Sequence, residues 1–206
     1  MIIGLLGMSG GGKSSWAARL ATAGFTWLHC DDLIAARIRA DYDIGNGSVY
    51  DLGQWMGLPY EAHYAEREAL YLEHETVVLS TIADAFEQGP DAPQNVIIDM
   101  TGSAIYVNPE VMQRIRQLAT IVYLAVAPER QAQMVEEYIA QPRPVLWHGL
   151  YQPKPGELPI TTLMRCYPQL LNTREALYRQ LGHITLPEAV HRNPAYTTAE
   201  FLAAIR

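Results

Sequence analysis

Lysine is scarce in this 206-residue chain. Two of its 15 basic residues are lysines, Lys13 and Lys154, and the other thirteen are arginines. An arginine is therefore the default cation here, and none marks a site by its presence alone. Acidic residues number 22, which leaves a net charge of −7 and a pI near 5.3. That balance argues against nucleic acid or an anionic membrane as the main partner. Cysteine is equally sparse. Cys30 and Cys166 form neither a zinc-ligand spacing nor a disulfide framework, and free thiols suit a reducing, cytoplasmic compartment. No apolar run approaches the ~20 residues of a membrane span, and repeats and low-complexity tracts are missing. With 49% hydrophobic and 18% charged residues, the composition is that of a globular domain long enough to bury a core.

What is present begins at residue 7. Residues 7–14 read Gly-Met-Ser-Gly-Gly-Gly-Lys-Ser, a full G-x-x-x-x-G-K-[ST] phosphate-binding loop. The pattern has mechanical meaning only where a buried strand enters it and a helix leaves it. Ile2–Leu6 supplies the strand, so no cleavable leader is expected. Ser14–Ala23 supplies the helix, with Trp16, Ala17 and Leu20 at helical spacing. Gly7, Gly10, Gly11 and Gly12 let the backbone curl so that N–H groups converge on phosphate oxygens, with Ser9 and Ser15 beside them. Lys13 would reach the β- and γ-phosphates and Ser14 would offer its hydroxyl to Mg²⁺. The reading is an ATP site with magnesium.

Strand and helix signals then alternate, which predicts an α/β fold of three layers, α/β/α, around a parallel sheet of about five strands. Strands are expected at Phe25–Leu28, Asn95–Asp99 (nearly all apolar, hence central), Ile121–Val126 and His183–Leu186. Helices are expected over Leu33–Arg39, from Pro59 to about Glu87, from Asn108-Pro109, over Pro128–Ala140, from about Thr161 to Leu181 and over Thr198–Arg206. Gly89-Pro90 would stop the long helix, whose stripe is Leu72, Thr76, Leu79 and Ala83. Tyr42–Gly53 reads as a loop. Residues 141–160 hold five prolines, too many for a regular element and too long for a plain connection, and are expected to form a lid in a single domain spanning 1–206.

In an open parallel sheet the ligand lies at the carboxyl ends of the strands. Asp31 and Asp32 sit at one such end; Asp31 is the candidate for orienting an acceptor hydroxyl, and Asp32 is read as a helix cap. Asp99 ends the third predicted strand, where a carboxylate orients Mg²⁺ or the nucleophile in phosphate-loop proteins. Thr101, Gly102 and Ser103 follow as a turn able to face a substrate. In the lid, Arg143 offers a planar fork suited to phosphate oxygens, and Lys154 is a second cation. Arg174 reads by itself as a helix-surface charge, His29 as a structural histidine, and His63 and His74 as coating the long helix. Tyr60, Tyr64 and Tyr71 are expected on one face of it.

The order of these pieces resembles shikimate kinase and its relatives over nearly the whole chain. The phosphate loop discriminates little. More specific are NVIIDMTGS from Asn95, the corner YLAVAPE ending at Glu129, RPVL at 143–146 beside the family's Arg-Pro-Leu-Leu lid motif, and REALY at 174–178. The resemblance implies that Lys13 and Ser14 hold phosphates and Mg²⁺, Asp31 faces the acceptor hydroxyl, Arg143 closes from the lid, and Arg174 binds an acceptor carboxylate. The departures fall on the acceptor side. The family's second carboxylate-binding arginine aligns with Ala65, and Arg67 lies about 200° further round the helix. The triple-glycine turn becomes Thr101-Gly102-Ser103, His29 replaces the first Asp of an Asp-x-Asp pair, and Asp99 is an added carboxylate. An ATP-dependent small-molecule kinase whose acceptor is not shikimate is expected, as a monomer or dimer. A nucleoside, nucleotide or dephospho-coenzyme A kinase, or an ATP-sensing regulator without catalysis, stands as the alternative.

Overall fold

The computed structural model describes residues 1–87 and 94–206. The predicted stop at Gly89-Pro90 lies outside them. Five parallel strands run in the order β2-β3-β1-β4-β5: β1 (Ile2–Leu6), β2 (Thr26–His29), β3 (Val96–Asp99), β4 (Thr120–Leu124) and β5 (Ile184–Leu186). Alternation along β1 sends Ile3 and Leu5 to one face. There they meet Trp16 and Leu20 of α1 (Lys13–Thr22) and Phe201 of α9 (Thr198–Ala204). Leu6 faces the other side and joins a larger core from α2 (Cys30–Ile38), α4 (Tyr64–Glu87), α5 (Pro109–Leu118) and α7 (Pro159–Leu181). The expected three layers follow from these two apolar faces of one sheet. The chain leaves β1 toward β2 on one side and reaches β4 on the other. The phosphate loop thus opens at the switch point of the sheet.

Several boundaries differ from the sequence reading. The helix α2 begins at Cys30, directly as β2 ends, so both aspartates lie in its first turn. Asp32 does not cap it. The N-cap is His29, and Asp32 instead takes the His29 ring at 2.7 Å, three residues back. The predicted loop Tyr42–Gly53 gives way at Val49 to the helix α3 (Val49–Met56), started by a capping box in which Ser48 Oγ accepts from Asp51 N and the Asp51 carboxylate accepts from Ser48 N. Pro59 opens no helix: Gly57 has a φ of 79°, the chain turns, and α4 starts at Tyr64. Tyr60 and His63 therefore precede α4, and Tyr60 is exposed while Tyr64 and Tyr71 are buried. The buried stripe of α4 is Tyr71, Glu75, Val78, Leu79, Ile82 and Ala83, with Leu72 and Thr76 at its margin.

The helix α6 spans Pro128–Ala140 as predicted. A short helix α8 (Glu188–His191) lies between β5 and α9. The proline-rich segment after α6 has two parts. Val145, Leu146 and Trp147 are buried in the core, whereas residues 152–156 form an exposed turn that carries Lys154. Among the described residues no helix is long and apolar enough to cross a membrane.

Candidate active site

The loop after β1 bends as its glycines allow. Gly10 and Gly12 hold φ values of 78° and 97°, a region that side-chain-bearing residues avoid. Gly12 caps α1 without a side-chain hydrogen bond, so the first N–H groups of α1 are left to a ligand. Lys13 is buried, and its Nζ donates to the carbonyls of Gly7 (2.9 Å) and Met8 (3.0 Å). Burial lowers the Lys13 pKa, opposed by the charges of Asp99 and Asp31. Ser14 and Ser15 are exposed at the start of α1, and Ser9 is half-buried.

Strand register brings the carboxylates to this loop. Leu5 of β1 pairs with Asp99 of β3, and Asp99 with His29 of β2. Asp99 is buried; its Oδ2 lies 3.8 Å from His29 Nε2 and has no hydrogen-bond partner among the described residues. In the first turn of α2, Asp31 Oδ1 accepts from the Tyr71 hydroxyl at 3.1 Å. Burial raises the Asp31 pKa, while Lys13, then His29, pulls it back. Cys30 beside it is kept a neutral thiol by burial and by the charges of Glu75, Asp31 and Asp99.

Behind Asp31 stands a residue that sequence reasoning missed. Glu75 of α4 is 1% exposed. Its carboxylate accepts from Thr101 Oγ1 and, at 2.6 Å, from Ser103 Oγ. Burial raises its pKa to about 7, against the two hydroxyl bonds. The turn was expected to be able to face a substrate; its two hydroxyls bond inward to Glu75. The signal for Glu75 was available, since an acid within an apolar helical stripe must find partners or lose its charge. Gly102 between them faces outward. A methyl group there would lie 3.4 Å from Ser9 N and 3.5 Å from Arg174 Nη1.

Arginines close the site from three sides. Arg143 follows α6, and its Nη1 would lie 3.2 Å from a methyl group on Gly10. Arg192, just past α8, donates to the Gly10 carbonyl at 2.6 Å, a contact with no sequence motif behind it. Arg174 is no surface charge: it is 3% exposed, donates to Leu146 O at 2.6 Å and lies over the Tyr106 ring. Its Nε is unpartnered, and among the described residues it meets no carboxylate. Arg67 is not brought to the site. It donates to Trp55 O and lies over the Trp55 ring, tying α4 to α3.

No protein-family profile matches the chain, and no curated protein does. Solved structures do. A shikimate kinase from Aquifex aeolicus matches 99% of this chain and 95% of its own at a TM-score of 0.60 and 17% identity. One from Bacteroides thetaiotaomicron matches 98% and 95% at 0.59 and 18%. A third, from Acinetobacter baumannii and solved with shikimate, matches 98% and 88% at 0.57 and 21%. The chain has the shikimate-kinase fold. Within the shikimate-kinase fold as this chain builds it, Lys13, Asp31, Asp99, Arg143 and Arg192 gather at one carboxyl edge of the sheet, and Glu75 and Arg174 back the turn at Gly102.

Proposed function

We propose that this protein is an ATP-dependent kinase of the shikimate-kinase type. It would move the γ-phosphate to a hydroxyl of a small, carboxylate-bearing metabolite other than shikimate. One observation carries the reading: the Arg143 guanidinium leans on Gly10 of a phosphate loop whose lysine is buried and flanked electrostatically by two aspartates. A protein that only sensed Mg-ATP could use Asp99 but would have no acceptor hydroxyl for Asp31 to orient.

The residues present fit a nucleotide with magnesium. The buried Asp99 Oδ2 lacks a partner, Ser14 presents its hydroxyl at the loop exit, and Lys13 has only carbonyls to bond. Magnesium, when bound, offsets phosphate charge. Gly7 and Ser9–Ser15 would hold the nucleotide, with Ser14 and Asp99 at the metal. The chain's own part in transfer is positioning and charge. Asp31, held by Tyr71, orients the acceptor hydroxyl and accepts its proton. Lys13 and Arg143 stabilise the charge that develops on the transferred group. Arg174, a buried cation without a carboxylate of its own, binds the acceptor's carboxylate, and Gly102 leaves the space in which the acceptor sits. Thr101 and Ser103 act by fixing that turn through Glu75.

The test is ADP release from Mg-ATP with shikimate and with a panel of hydroxy acids, sugars and nucleosides. Turnover that requires a hydroxy acid other than shikimate supports the proposal, and turnover on shikimate would overturn its exclusion of that acceptor. Activity only on a nucleoside would overturn the acceptor class, and ATP binding without turnover on any acceptor would favour the regulator.

A further inference from the structure

A helix-interior glycine usually destabilises its helix, and alanine is the better residue there. Gly53 is such a glycine, buried within α3. A methyl group on it would lie 2.3 Å from Pro142 O and 2.7 Å from Arg143 Cα. Backbone meets backbone at this point, and the residue held there is the arginine that reaches the phosphate loop. The next residues are pinned as closely. The Tyr64 hydroxyl of α4 contacts Val145 O at 2.7 Å and Glu68 Oε1 at 2.7 Å, and accepts from Trp147 N at 3.0 Å. Glu68 Oε1 also accepts from His148 N at 3.0 Å. Trp147 Nε1 donates to Tyr138 of α6 at 3.3 Å, and Leu146 O takes Arg174 of α7. The segment 142–148 is thus hydrogen-bonded to three helices, α4, α6 and α7, and packed against a fourth, α3, with Val145, Leu146 and Trp147 in the core. That is the construction of a fixed strap. A lid that opens for each nucleotide would have to break all of these contacts.

We infer that Gly53 and Tyr64 are positioning residues that hold Arg143 against the phosphate loop before nucleotide arrives. The role of Arg143 rests on the kinase reading, but its placement does not. Gly53 acts by being small enough for α3 to touch the Arg143 backbone, and Tyr64 by tying both ends of Val145–Trp147 to α4. The exposed turn at 152–156 lies outside this strap.

Amide hydrogen exchange of the intact protein, first without nucleotide, tests the placement. Slow exchange at Trp147 and His148 is expected in the parent, and exchange roughly tenfold faster in Tyr64→Phe, the loss of about one buried hydrogen bond. Gly53→Ala should speed exchange at the same amides. Were α3 and the strap apart in solution, that substitution would instead leave exchange unchanged and raise the melting temperature. Protection that appears only on adding Mg-ATP would overturn the inference while leaving the kinase reading intact. A double-mutant cycle gives the second readout once an acceptor is found. Tyr64→Phe should lower kcat in the parent and have no further effect in Arg143→Ala; an equal loss in both backgrounds would make Tyr64 merely structural and also overturn it.

Discussion

The Tyr71 hydroxyl donates to Asp31 Oδ1 at 3.1 Å, and the two residues come from different helices on the same side of the sheet. Tyr71 is buried and its own pKa is pushed far up by burial, then by Asp31. It is therefore always the donor, and Asp31 always offers it an acceptor oxygen.

This pair sets a pH dependence. Burial raises the Asp31 pKa, although Lys13 and His29 oppose it, so its proton-accepting form is reached only above the ordinary carboxylate range near ~3.9. The acid limb of the kcat/KM profile should lie above that range. Tyr71→Phe removes a bond to the ionised form and should move the limb to higher pH. Asp31→Asn should abolish the limb and cost ~10²–10⁴ in kcat. A limb unmoved by Tyr71→Phe would mean that another group sets it.

Glu75 makes a stability prediction that needs no substrate. Its folded pKa of about 7 exceeds the unfolded value of 4.5, so the folded state holds more protons between those values. Stability should be highest at the acid end of this window and fall as pH rises through about 7. The loss amounts to about 3 kcal/mol. Glu75→Gln keeps partners for the Thr101 and Ser103 hydroxyls, which can donate or accept, but cannot ionise. Thermal melts at pH 5 and pH 8 should show a smaller drop for the variant than for the parent, by several degrees. Equal drops would show that Glu75 titrates normally.

How much of this was legible differs by residue. The phosphate loop, Asp99 and the helix over Pro128–Ala140 depend on local spacing, and the parallel sheet, though not its strand order, followed from the alternation of strand and helix signals. The place of Glu75 in an apolar stripe was visible and was passed over; its partners were not legible, because Thr101 and Ser103 lie 26 and 28 residues away on another element. Arg174 looks like any charge on a helix until Leu146 and Tyr106 arrive from distant parts of the chain. The helix α3 is a different failure: the run Gly45-Asn46-Gly47 suggested a loop, yet Ser48 and Asp51 already had capping-box spacing.

That capping box supplies a third prediction. Ser48→Ala removes the acceptor for Asp51 N and should cost about 1 kcal/mol, a fall of roughly 2–4 °C in melting temperature for a chain of this size. Ser48→Asp should recover most of it. An unchanged melt in Ser48→Ala would mean that tertiary contacts alone maintain the start of α3.

Lys13→Ala should lower turnover by ~10³-fold or more while leaving circular dichroism and the melt close to the parent, since among the described residues Lys13 Nζ bonds only the Gly7 and Met8 carbonyls. Lys13→Arg should not rescue, because a planar fork cannot replace a compact ammonium in that space. Full activity in Lys13→Ala would remove the phosphate loop from the chemistry.

The contact of Arg192 with Gly10 spans 182 residues, and that of Trp16 with His191 spans 175. During synthesis the phosphate loop leaves the ribosome well before His191 and Arg192, which contact Trp16 and Gly10 beside it. The nascent chain therefore carries its loop long before it has a finished nucleotide site. Contacts of such sequence separation are also costly to close during folding. On the kinase reading, nucleotide capture therefore waits for the segment that carries Arg192 and reports that this segment has docked.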